Sequence, residues 1–191
     1  LWGNPLYNWD AMRADGYRWW MQRIAAAGRL FDVIRIDHFR GLESYWAVPY
    51  GDVNARRGHW VKGPGQDFID AVHRSFPELH LTAEDLGFLT PEVIELQRNS
   101  GYPGMKVLEF AFDPREPSNY LPHRYTTNCI CYSGTHDNET LVQWLDGASP
   151  ETVQYVQEYL GLRDRSECVS GILRAGMASV ADVFIAQLQD Y

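Results

Sequence analysis

Apolar residues recur at helical spacing from Trp9 to Ala27, with Met12, Tyr17, Trp20 and Ile24 between them. Positions three and four apart share one face of a helix, so the pattern predicts an amphipathic helix over residues 9–27, stopped at Gly28. Short branched runs then take over. Residues 31–37, 79–83, 106–112 and 128–132 predict strands, and 183–188 reads as a last strand or as an extension of the helix before it. Helices are predicted over residues 66–76, 138–146, 150–160 and 167–179. A further helix opens at Pro91, with Thr90 as its N-cap. Strands that alternate with helices imply a parallel sheet with right-handed crossovers, hence an α/β protein. A closed eight-stranded barrel takes about 250 residues. The 191 residues here predict five strands, which is a partial barrel at most. The absence of a repeat, linker or low-complexity segment predicts a single domain.

The stretch between the first strand and the helix at 66 carries Pro49, Gly51, Gly58, Gly63, Pro64 and Gly65, and reads as a long irregular loop. Long loops inside compact domains are usually functional or disordered. This one holds Tyr45, Trp46, Tyr50, His59, Trp60 and Lys62, a composition unsuited to disorder.

Composition narrows the range of functions. Lysine and arginine number 17 against 25 aspartate and glutamate, for a net charge of −8. Binders of polyanions usually show a basic stripe, and here Arg56-Arg57 is the sole adjacent basic pair, so no nucleic-acid partner is expected. No apolar run approaches the roughly 20 residues of a membrane helix, so no membrane partner is expected either. The start, Leu1-Trp2-Gly3-Asn4-Pro5, has no initiator Met and no signal-peptide pattern. It reads as an entry point inside a longer polypeptide. Cys129, Cys131 and Cys168 have no second Cys or His pair to complete a zinc site, and predict buried, reduced thiols in a cytoplasmic protein. No metal or cofactor is expected.

Three acidic residues stand at or just past the C-terminal ends of predicted strands: Asp37, Glu84 and Asp137. In parallel α/β folds that edge is where active sites are built. Alternation puts Val33, Arg35 and Asp37 on one face of the first strand, and His80, Thr82 and Glu84 on one face of the second. A guanidinium beside Asp37 favours the ionised carboxylate that a nucleophile needs, though a structural Arg–Asp pair would look the same. A carboxyl at Glu84 in a dry, aromatic setting would be pushed towards the protonated form that a general acid needs. The alternative is that Glu84-Asp85 caps the next helix. His136 and Asp137 are adjacent on a turn and can reach sugar hydroxyls.

Taken together, Leu1-Trp2-Gly3-Asn4-Pro5-Leu6-Tyr7, Arg35-Ile36-Asp37-His38-Phe39-Arg40-Gly41, Trp60-Val61-Lys62-Gly63-Pro64-Gly65, Pro103-Gly104-Met105-Lys106-Val107-Leu108 and Gly134-Thr135-His136-Asp137-Asn138 resemble signatures of the 4-α-glucanotransferases, or amylomaltases. The resemblance runs the length of the chain. It implies roughly the last five strands of a (β/α)8 barrel, an α-glucan or maltooligosaccharide substrate, and a cytoplasmic location, or a plastid one in a plant. It also implies roles. Asp37 is the nucleophile, Glu84 the general acid/base and Asp137 the third carboxylate, which binds sugar hydroxyls. Arg35 and His136 support them, and Trp2, Asn4, Pro5 and Phe110 border the glucan cleft. An α-amylase-like hydrolase and a catalytically silent partial chain are the alternatives.

Overall fold

The computed structural model describes residues 4–191. The chain forms two compact units, Leu1–Tyr102 and Pro103–Tyr191.

In the first unit the apolar stripe predicted as one helix is two: α1 (Trp9–Ala14) and α2 (Arg18–Gly28). The break lies at Gly16 and Tyr17, both with positive φ. Asp15-Gly16 is a turn signal that the periodicity overran. A left-handed Tyr17 is costly for a residue with a side chain. Packing offsets that cost: Tyr17 is buried against Phe68, and its hydroxyl donates to Asp67 at 2.7 Å. Strand β1 (Val33–Ile36) follows, then a short 3-10 turn, Phe39–Leu42.

The segment expected to be an irregular loop holds an antiparallel hairpin, β2 (Ser44–Ala47) and β3 (His59–Lys62), with Tyr45 opposite Val61 and Trp46 opposite Trp60. Four-residue strands separated by proline and glycine carry too little alternation to stand out. Gly58 permits the pairing, because a Cβ there would meet the Trp46 indole nitrogen at 2.1 Å. Helix α3 (Gly65–Ser75), strand β4 (His80–Ala83) and helix α4 (Pro91–Ser100) complete the unit. Thr90 caps α4 through its hydroxyl, so Glu84-Asp85 does not perform that task. Strands β1 and β4 run parallel, Val33 beside His80 through Ile36 beside Ala83. Phe39, Phe68, Ile69, Val72, Leu81 and Ala83 form the core.

The second unit is a three-stranded parallel sheet in the order β5 (Gly104–Val107), β6 (Cys129–Tyr132), β7 (Val183–Ile185). Helices α5 (Leu141–Gly147), α6 (Pro150–Leu160) and α7 (Cys168–Met177) lie between β6 and β7 in sequence. The strand expected over 106–112 ends at Val107 and gives way to a 3-10 turn, Leu108–Phe110. Leu108, Phe112, Leu141, Val156 and Ile172 are among the core residues. All three cysteines are buried. Burial pushes the Cys131 thiol up to about 12, so it stays a thiol. The observed class is α/β with parallel sheets. No helix among the described residues is long and apolar enough to cross a membrane.

Candidate active site

Asp37 and Glu84 each lie one residue past the last paired positions of β1 and β4, Ile36 and Ala83. Neighbouring strands run about 4.8 Å apart, so the continued register makes the two residues neighbours on the same edge. The chain does continue the pairing. Glu84 N donates to Ile36 O at 2.9 Å, and Phe39 N donates to Glu84 O at 2.9 Å. The Glu84 side chain adds two more bonds, with Oε2 accepting from His38 N at 2.7 Å and Oε1 from Leu86 N at 2.9 Å. Both carboxyl oxygens are therefore held by backbone donors, which fixes the side chain beside the residue that follows Asp37.

His38 makes this possible. Its backbone is left-handed, φ 50° and ψ 50°. A residue with a side chain pays about 1–2 kcal/mol for that conformation. Here it turns the His38 and Phe39 N–H groups in succession onto Glu84. Phe39 anchors the turn from below, fully buried in the core.

Arg35 Nη2 donates to Asp37 Oδ1 at 3.0 Å, as their shared strand face predicts. The Asp37 side chain is 77% exposed, so it is open to an incoming molecule. Glu84 is partly exposed rather than dry, and both its carboxyl oxygens accept from backbone amides. Arg40, part of the Arg35–Gly41 motif but given no role from the sequence, is buried under the same edge. It donates to Phe88 O at 2.8 Å, on the loop after Glu84, and its guanidinium lies 4.4 Å from the Trp60 ring centre. It ties the Asp37 turn to the Glu84 loop and to the hairpin. Trp46 and Trp60 meet edge to face, both substantially exposed.

Asp137, His136 and Phe110 belong to the second unit. The 134–140 turn starts where β6 ends, after Ser133. His136 Nε2 is 3.3 Å from Asp137 Oδ2, and both side chains are exposed. Asn138 Oδ1 accepts from the Thr135 amide at 3.0 Å and the Thr135 hydroxyl at 2.6 Å, and Asn138 N donates to Thr135 O, which closes the turn. Phe110 stands on the 3-10 turn after β5, half exposed, its ring edge-on to Tyr120. Asn4 and Pro5 are exposed and outside regular structure. Trp2 lies outside the described residues. Among those residues, no three His, Cys, Asp or Glu side chains gather as a metal site.

A pair of carboxylates is what a class of glycoside-processing enzymes uses, and Asp37 and Glu84 are neighbours at one edge of a parallel sheet, one paired with arginine and one held by amides. The comparisons with known proteins give that class a family. The family model described as 4-alpha-glucanotransferase matches residues 1–191, so the chain belongs to that family. The 4-alpha-glucanotransferase of Streptococcus pneumoniae is 46% identical over the whole chain, and the chain covers 38% of it. The chloroplastic/amyloplastic 4-alpha-glucanotransferase of Solanum tuberosum is 42% identical, again over the whole chain and 33% of the relative. Among solved structures, the amylomaltase from Streptococcus agalactiae in complex with acarbose matches with a TM-score of 0.94 and 34% identity, over 100% of this chain and 39% of that one. The chain thus spans well under half the length of these relatives.

Proposed function

We propose that the polypeptide carrying this sequence transfers α-1,4-glucan segments to a glucan or glucose acceptor by a retaining double displacement. Asp37 attacks the anomeric carbon as Glu84 protonates the leaving oxygen. The same Glu84 then deprotonates the acceptor hydroxyl, and the acceptor displaces Asp37. Asp137 and His136 hold ring hydroxyls, and Asp137 does so more tightly in the transition state than in the ground state. Arg35 holds Asp37 in place through its hydrogen bond. Trp2, Asn4, Pro5 and Phe110 border the glucan.

One observation carries this reading, the shared edge of Asp37 and Glu84. Retention needs two carboxyls about 5–5.5 Å apart. Cross-strand neighbours about 4.8 Å apart at the backbone suit that spacing. Family membership supports the rest. The accompanying fold proposal is a partial (β/α)8 barrel. In it, β1, β4, β5, β6 and β7 are roughly its last five strands, and residues 1–191 are one C-terminal portion of the catalytic domain. The alternating elements and the amylomaltase likeness support it. A soluble α-glucan as partner suits a cytoplasmic location, or a plastid one in a plant.

Incubation with maltotriose tests the activity. A transferase yields longer oligosaccharides, and release of shorter sugars alone means a hydrolase. Asp37→Asn should lower transfer by at least about a thousandfold; parental turnover in that variant removes the assignment. A second reading rests on the share of relatives covered: the 191 residues by themselves are catalytically silent. A cooperative far-UV melt together with transfer by the isolated chain would dismiss it.

A further inference from the structure

Beneath the turn that carries His136 and Asp137 lies a buried polar cluster that the proposed mechanism does not use. Glu109, Ser133 and Asp190 are 6%, 0% and 4% exposed. Asp190 Oδ2 accepts from Ser133 Oγ at 2.6 Å, and Asp190 Oδ1 accepts from Leu141 N at 2.8 Å. Those two donors flank the turn on either side. Ser133 Oγ accepts in return from Gln187 N at 3.1 Å, and Gln187 Nε2 donates to Glu139 O at 3.1 Å. Glu109 fills the space under the middle. A Cβ on Gly134 would meet the side-chain ends of Gln187 and Glu109, the latter's Oε1 at 2.8 Å, so the turn lies directly against them. The Asn138 side chain, whose oxygen is taken by Thr135, also acts on the Glu109 carboxyl and favours its ionised form, against the larger effect of burial.

The charges acting on Glu109 are two more carboxylates, Asp190 from the 3-10 turn after β7 and Glu139 from the 134–140 turn. Among the described residues, Glu109 Oε1 has no hydrogen-bond partner. A buried carboxylate facing other carboxylates, with one oxygen unsatisfied, is costly; a proton on that oxygen removes the charge.

We propose that Glu109 is a positioning residue for Asp137, a buried acid that supports the 134–140 turn while it holds a proton and loosens the turn when it loses it. The inference rests on the proposed role of Asp137. Burial first, then Asp190 and Glu139, push Glu109 up to about 7, so the change falls near neutral pH. The sign follows from proton counting. Between the ordinary glutamate value and about 7 the folded chain keeps a proton that the unfolded chain has lost. Stability therefore falls as pH rises across that interval and levels off above it.

Melting of wild type and Glu109→Gln from about pH 5 to about pH 8 reads this directly. The amide mimics the protonated acid, so the wild-type melting temperature should drop relative to the variant up to neutrality. Parallel curves overturn the proposal. If the variant fails to fold, a carboxyl-carbon NMR titration of the wild type reports the same proton, and a midpoint in the ordinary glutamate range overturns the proposal equally. Positioning is read from transfer on maltotriose. The ratio of wild-type to variant kcat should fall about tenfold per pH unit above neutrality, and a constant ratio would show a structural role only. Asp137→Asn is the control. If it keeps full activity, the role of Asp137 fails while the melting result stands. If it is inert and the kcat ratio is flat, the inference about Glu109 is the one that fails.

Discussion

A single left-handed residue organises the Asp37–Glu84 edge. His38 adopts φ 50°, and two successive amides then close on Glu84. The imidazole itself leans over Gly41, where a Cβ would stand 2.9 Å from His38 Cδ2. His38→Gly should therefore separate strain from side-chain chemistry. Glycine takes this conformation freely, so thermal stability should hold to within about 1 kcal/mol. Any loss of transfer then belongs to the imidazole. Gly63 makes the opposite case. A Cβ there would meet Leu42 O at 2.3 Å and Gly41 O at 2.5 Å, both rigid backbone. Gly63→Ala should destabilise the chain by about 1–3 kcal/mol in a denaturant titration; an unchanged midpoint would show that the backbone yields. At this scale the carboxylates themselves were legible in the sequence, because alternation along a strand is local. The His38 conformation was not, since nothing in Asp37-His38-Phe39 marks a positive φ and only the buried Phe39 and the Glu84 acceptor impose it.

Among elements, the hairpin β2–β3 docks through Arg40. Its guanidinium joins Phe88 O and the Trp60 ring while remaining buried. Lysine offers a charge but no planar fork, so Arg40→Lys should leave Phe88 O or the ring unserved. The expected cost is about 1–3 kcal/mol in the same titration, with easier proteolysis of residues 48–58 as a local readout. The hairpin was read as loop because proline and glycine punctuate it and each strand is four residues long. Strands β1, β4 and β6 were legible because short apolar runs mark them, whereas β5 was expected at 106–112 and starts at Gly104, and the β7 segment was left open between strand and helix. The break between α1 and α2 was missed for the converse reason: the apolar stripe is continuous across Asp15-Gly16, while Tyr17 turns inward to meet Asp67 and Phe68.

For the whole molecule, each compact unit has its own core. The β1–β4 sheet has two strands, and Leu30, Phe31 and Val33 near it are exposed. Two-stranded sheets are marginal alone, and exposed apolar strand edges invite pairing. The 191-residue chain should therefore bind a hydrophobic dye and self-associate as its concentration rises, by light scattering, and Val33→Lys should lower both. Dye binding at background and a monomer throughout would show that the edge is protected.

The sequence alone settled what local rules govern. Strand and helix alternation, the acidic residues at strand ends and the Arg35–Asp37 pairing follow from spacing and residue type, and the motifs carry the family resemblance. Tertiary structure decided what depends on residues far apart in the chain. The β1–β4 register brings residue 84 beside residue 37, and the buried support of the 134–140 turn draws on residues 109 and 190. Both rest on hydrogen bonds and burial between segments that no local pattern links.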